Sequence, residues 1–171
     1  REDTTWVSYN IKKKKSTILT KGKFYNEKDD RPTFPSQSGP MEWICDDKSV
    51  LIYDHFDLWI TSPDGNSNPK NLTNGRSKNT RYRHVRIDRD IRHLPEDTII
   101  LLKSFNDITK ESGYVYLNLK TQTLKPLESG PYNYTTRITK AKNSDDLLFT
   151  KENFRTFPNL ILTNSAFENQ K

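Results

Sequence analysis

Cysteine is almost missing from this sequence. Cys45 is the only one in 171 residues, which excludes an internal disulfide framework and any cysteine-built zinc cluster. Long apolar runs are missing too: the longest, Ile99-Ile100-Leu101-Leu102, falls far short of the roughly 18 residues a spanning helix needs. No membrane partner is expected. Helical periodicity is equally scarce, because no window of about eleven residues or more repeats apolar side chains at i, i+3, i+4 and i+7. Hydrophobic residues make up only 32% of the chain, too few for a parallel sheet covered on both faces by helices. The three histidines, His55, His84 and His93, fall in no metal-ligand spacing, so no metal or other cofactor is expected.

What is present is aromatic and β-branched. Three Trp, eight Tyr and eight Phe supply the burial that a disordered polar chain lacks. The formal charge is +6, from 28 basic and 22 acidic residues, but the two signs are interleaved. Only lysines 12–15 and the stretch 81–92 are locally basic. The aromatics sit at core-spaced strand positions and are not interleaved with bases on one face, which argues against a nucleic-acid partner.

Short strands recur along the whole chain. Residues 6–11 alternate apolar and polar, and after the lysine run residues 16–20 form a second β-branched stretch, together a hairpin with a lysine-rich turn. Residues 22–41, with Pro32, Pro35, Gly39 and Pro40, read as a long connection. Four strands then follow closely: Trp43-Ile44-Cys45, Val50-Leu51-Ile52-Tyr53, Leu58-Trp59-Ile60-Thr61 and Lys70-Asn71-Leu72-Thr73. Their separators, including Asp54-His55-Phe56-Asp57 and Ser62-Pro63-Asp64-Gly65, are turn chemistry. The same rhythm returns at 82–87, 98–105, 113–119 and 124–128, and again at 134–140, 147–150 and 160–163. Third strands of successive groups begin roughly every 50 residues, a four-strand period that marks β-propeller blades. The expected fold is all-β, a partial β-propeller of about three blades built from four-stranded antiparallel meanders. Residues 1–21 would end one blade, 42–74 and 81–128 would be full blades, and 133–171 an incomplete one. This reads as an arc cut from a larger ring, whose open sheet edges invite self-association.

Specific segments carry a resemblance. The run Trp43-Ile44-Cys45-Asp46-Asp47-Lys48-Ser49-Val50-Leu51-Ile52-Tyr53-Asp54-His55-Phe56-Asp57-Leu58-Trp59, with Ser62-Pro63-Asp64-Gly65 and Asn71-Leu72-Thr73-Asn74-Gly75, resembles a blade of the prolyl oligopeptidase family of serine peptidases. Residues 141–154 and Phe157-Pro158-Asn159-Leu160 are similar to the last blades of large bacterial members. The resemblance implies a propeller that gates or positions oligopeptide substrates over an α/β-hydrolase catalytic domain of the same parent chain. It favours a periplasmic or secreted setting. None of Gly22, Gly39, Gly65, Gly75, Gly113 and Gly130 supplies the G-x-S-x-G nucleophile elbow. No catalytic residue is therefore carried over, and this chain alone is expected to hydrolyse nothing. A free-standing protein- or ligand-binding propeller module is the alternative.

The candidate binding residues are arginines. Arg81 and Arg83 would share one strand face opposite Tyr82, and with Arg86, Arg89 and Arg92 they could meet peptide carboxylates or another anion. The competing reading pairs them with Asp88, Asp90 and Glu96 on an exposed face. Arg81, Arg83 and Arg86 are the residues assigned to a peptide or anion contact. Cys45 reads as a buried strand thiol, His55 as a turn residue with His84 and His93 at the surface, and Asp54 and Asp57 as turn-stabilising carboxylates and not a calcium loop. Lysines 12–15 read as a solvated hairpin tip. Asn71-Leu72-Thr73 and Asn133-Tyr134-Thr135 match the glycosylation pattern by chance. Trp43 and Trp59 are both expected to be buried between blades.

Overall fold

The computed structural model describes residues 5–39, 42–88, 91, 94–135 and 137–171. Two compact units emerge, Arg1–Arg76 with His93–Glu96, and Ser77–Arg92 with Asp97–Lys171. Among the described residues the secondary structure is strand throughout, apart from one short 3-10 turn at Arg76–Lys78 that the sequence reading does not anticipate.

In the first unit, β1 (Val7–Asn10) and β2 (Lys15–Ile18) form the lysine-tipped hairpin. The tip closes because the Asn10 side chain accepts a hydrogen bond from the Lys13 amide at 2.9 Å and Lys14 takes a left-handed φ of 48°. Among the described residues the following connection carries no strand or helix, yet it is tied to itself. Asp29 accepts from Arg31 Nε at 2.7 Å and from the Ser36 amide at 2.9 Å. Pro40 and Met41, at its end, lie outside the described residues. A four-stranded meander follows in chain order: β3 (Glu42–Ile44), β4 (Ser49–Tyr53), β5 (Leu58–Thr61) and β6 (Lys70–Asn71). Val50 and Ile52 of β4 pack with Leu19 and Phe24, and Trp6 and Trp59 close over them.

The turns of this meander are set by aspartates. Asp54 Oδ1 accepts from the amides of Phe56 at 2.8 Å and Asp57 at 2.5 Å, the Asx geometry that reverses a chain without glycine. His55 is indeed in the turn, and it is buried. Asn71 Oδ1 accepts from the amides of Thr73 and Asn74 at 2.9 and 2.8 Å, so this side chain is engaged in its own turn.

Two expectations fail here. Cys45 is not in a strand: it leads three successive residues with left-handed φ, Cys45, Asp46 and Asp47 at 55°, 52° and 64°. It is half-buried, and desolvation raises its thiol pKa. Trp43 is not buried either, since 42% of it remains exposed. It stands opposite Val50 and so shares the core-facing side of the sheet, but at its rim. Trp59 is partly buried, packed against the cluster of Leu19, Phe24, Val50 and Ile52 with its ring 5.4 Å from that of Phe24. Trp59→Ala should therefore cost about 3 kcal/mol and Trp43→Ala no more than about 1. Urea midpoints of the two variants check this, and equal losses would contradict the packing.

The second unit repeats the meander with β7 (Thr80–His84), β8 (Ile99–Asn106), β9 (Ser112–Asn118) and β10 (Thr123–Gly130). Its last sheet comprises β11 (Asn133–Tyr134), β12 (Thr139–Lys140), β13 (Asp146–Asn153) and β14 (Thr156–Asn164). β11 pairs with Glu152 and Lys151 of β13, β12 with Leu148 and Leu147 further along it, while β14 takes the other edge. The first two are thus halves of one interrupted strand, where the sequence suggests a single strand at 134–140. Tyr114, Tyr134, Phe149 and Phe167 pack between the two sheets with Val85, Leu101, Ile138 and Leu147.

Candidate functional site

Strand alternation on β7 sends Tyr82 to one face, where it is buried, and Arg81 and Arg83 to the other. Register then brings in partners from β8: Arg81 stands opposite Phe105 and Arg83 opposite Lys103. These four side chains line a cavity of about 210 Å³. Three cations and one aromatic ring therefore converge on one small surface.

Each cation is held. The Arg81 guanidinium lies 4.8 Å from the centroid of Phe105, a cation–π geometry, and its Nε is 2.9 Å from Oδ1 of Asp107, whose side chain is 4% exposed. Arg83 Nη1 donates to the Tyr82 carbonyl at 2.7 Å. Lys103 Nζ donates to the Tyr134 carbonyl and, at 3.5 Å, to Asn133 Oδ1. Burial of its ammonium pushes the Lys103 pKa below the ordinary lysine value, because desolvation disfavours the charged form. Asp107 pairs with one of the three cations that line the pocket. Such a surface attracts and orients an anion through charge-assisted hydrogen bonds.

The structure unites only part of the predicted arginine group. Arg81 and Arg83 line the pocket; Arg86 is exposed beyond the end of β7 and does not. Arg89 and Arg92 lie outside the described residues, as do Asp90 and His93. Arg81 makes an ion pair with Asp107. Lys103 and Phe105 are missed by the sequence reading, although alternation on residues 98–105 places both on one face. His84 is half-buried in β7. Among the described residues no three His, Cys, Asp or Glu side chains converge on a metal-sized site.

No protein-family profile matches the sequence, and no curated protein matches it. Solved structures do. An oligogalacturonate lyase in complex with manganese superimposes with a TM-score of 0.52 at 13% identity, over 95% of this chain and 40% of that one. That lyase is a β-propeller. This chain is a partial β-propeller. TolB from Acinetobacter baumannii, also a propeller, is similar with a TM-score of 0.48 at 12% identity, over 94% of this chain and 37% of that one. The partial propeller thus spans 40% of the lyase's length, and at such identity the likeness concerns fold alone.

Proposed function

We propose that this chain is a substrate-positioning part of a β-propeller, in which Arg81, Arg83 and Lys103 receive the carboxylate of an oligopeptide. The observation that supports this reading is the convergence of three anchored cations and Phe105 on one pocket. The blade-like segments at 43–75 and 141–163 extend it to the propeller of a prolyl oligopeptidase-like serine peptidase, with an α/β-hydrolase domain of the same parent as partner. A free-standing carboxylate-binding module is the second reading. It is favoured by the fact that every residue of the pocket belongs to one compact unit.

Calorimetry with a short peptide bearing a free C-terminal carboxylate, against its amide, tests the shared core of both readings. The acid should bind at least about tenfold more tightly, and Arg83→Gln or Lys103→Met should remove most of that difference. The pH dependence of binding is carried by Lys103. Its positive charge is present below its lowered pKa and lost above it, and affinity for the acid should fall as pH rises through that value. Equal affinity for acid and amide would refute the assignment.

A further inference from the structure

The β1–β2 hairpin meets the face of the β3–β6 sheet that carries Val50 and Ile52 through Trp6 and Leu19, which flank its two strands. Beside the half-exposed Trp43 it leaves an open cleft of about 450 Å³, within the range of small-molecule sites. The cleft is preformed. Ser8 Oγ donates to the Pro63 carbonyl, which ties β1 to the turn between β5 and β6. Gly65 in that turn has a φ of 74°, and a Cβ there would lie 2.6 Å from the Thr17 methyl. Only glycine permits both the conformation and the approach.

The lining combines Trp43 with two cations, Lys13 and Lys15, two carboxylates, Asp47 and Asp64, and the amide of Asn66. The formal charges cancel, so the wall selects no ion of either sign. Hydrogen bonds, first from the Ser62 hydroxyl and then from the Asn66 amide, hold the Asp64 carboxyl below the usual carboxylate range. It is therefore an ionised acceptor at neutral pH. Asn66 Nδ2 donates to its other oxygen at 2.5 Å, which fixes both side chains. Charged donors and acceptors bind hydroxyl groups more strongly than neutral ones do. A half-exposed indole, for its part, offers a flat apolar face. A ligand with hydroxyls around its rim and C–H bonds on one face satisfies both demands and, being neutral, needs no net charge from the wall.

We propose that the cleft between the β1–β2 hairpin and the β5–β6 turn binds the ring of a neutral saccharide, with Trp43 against its C–H face and Lys15, Asp64 and Asn66 engaging its hydroxyls. This site shares no residue with the arginine pocket and goes beyond the carboxylate reading.

Titration of the full chain with cellotriose, maltotriose and N,N′-diacetylchitobiose, followed by tryptophan fluorescence and by amide chemical shifts, tests it. At least one sugar should give a saturable change, and Trp43→Ala should weaken that sugar about tenfold or more. Asn66→Ala, at an exposed turn position, should weaken it as well and guards against a Trp43 variant that does not fold. Arg83→Gln should leave sugar binding unchanged while lowering carboxylate affinity, which separates failure of one site from failure of the other. Saturation by none of the three sugars would overturn the proposal. So would undiminished binding by folded Trp43→Ala, or tighter binding of trigalacturonate or triglutamate than of any neutral sugar.

Discussion

Asp57→Ala is expected to lower the unfolding free energy by about 3 to 4 kcal/mol, an unusually large loss for removing one polar side chain. Asp57 is 1% exposed and closes the β4–β5 turn. Its carboxylate accepts from the Thr73 hydroxyl at 2.7 Å, from the Gly75 amide, and from the Arg76 amide at 3.2 Å. Thr73 Oγ1 in turn accepts from the Leu58 amide at 3.1 Å. One carboxylate thus locks the chain after β6 onto the start of β5. Removing it strands buried donors, each at about 1 to 3 kcal/mol. Asp57→Asn keeps one acceptor oxygen and should lose less than half as much. Urea unfolding at constant m-value reads both, and a wild-type midpoint for Asp57→Ala would show that the lock contributes nothing.

Tyr114→Ala should cost about 3 to 5 kcal/mol, through the cavity left in the second unit. The side chain is fully buried. Its ring lies 5.4 Å from Tyr134, 5.5 Å from Phe149 and 5.2 Å from Phe167, so its loss removes the centre of the aromatic cluster. Its hydroxyl donates to the Thr135 carbonyl at 2.5 Å, and Tyr114→Phe should lose only about 1 kcal/mol. Burial, and then the charge of Glu128, raise the pKa of both Tyr114 and Tyr134 above the ordinary tyrosine value of 10.0. The folded state therefore favours neutral phenols. This contribution is complete below about pH 10 and declines as pH rises past the unfolded value toward the folded one. Tyr114→Phe should accordingly lose less stability than the wild type between neutral and strongly alkaline pH. Parallel alkaline unfolding curves for the two proteins would contradict that.

The strand pattern was legible because its signals are local. Alternation and β-branched runs mark β4, β8 and β9, and the Asp54 and Asp57 turn announces the reversal between β4 and β5 through side-chain chemistry confined to four residues. Half of the arginine pocket was legible for the same reason, since Arg81 and Arg83 are two apart on one strand. Lys103 and Phe105 were not, because they join the arginines through the β7–β8 register, and nothing local in either strand states which residue will stand opposite which.

The sequence by itself determined an all-β chain of repeated antiparallel meanders, with aspartate-built turns and a basic strand face. Period-two alternation and turn preferences act within a few residues and leave little choice. Tertiary structure alone decided which faces are covered. Trp43 and Val50 stand on the same face, and one is half-exposed while the other is fully buried, because Leu19 and Phe24 cluster with Val50 and Ile52 while Trp43 lies outside that cluster. It also decided that Cys45 leaves its strand for a left-handed turn, and that the strand expected at 134–140 is interrupted between β11 and β12. Alternation specifies the direction of a side chain; burial depends on what is packed against it, and that neighbour comes from a distant part of the chain.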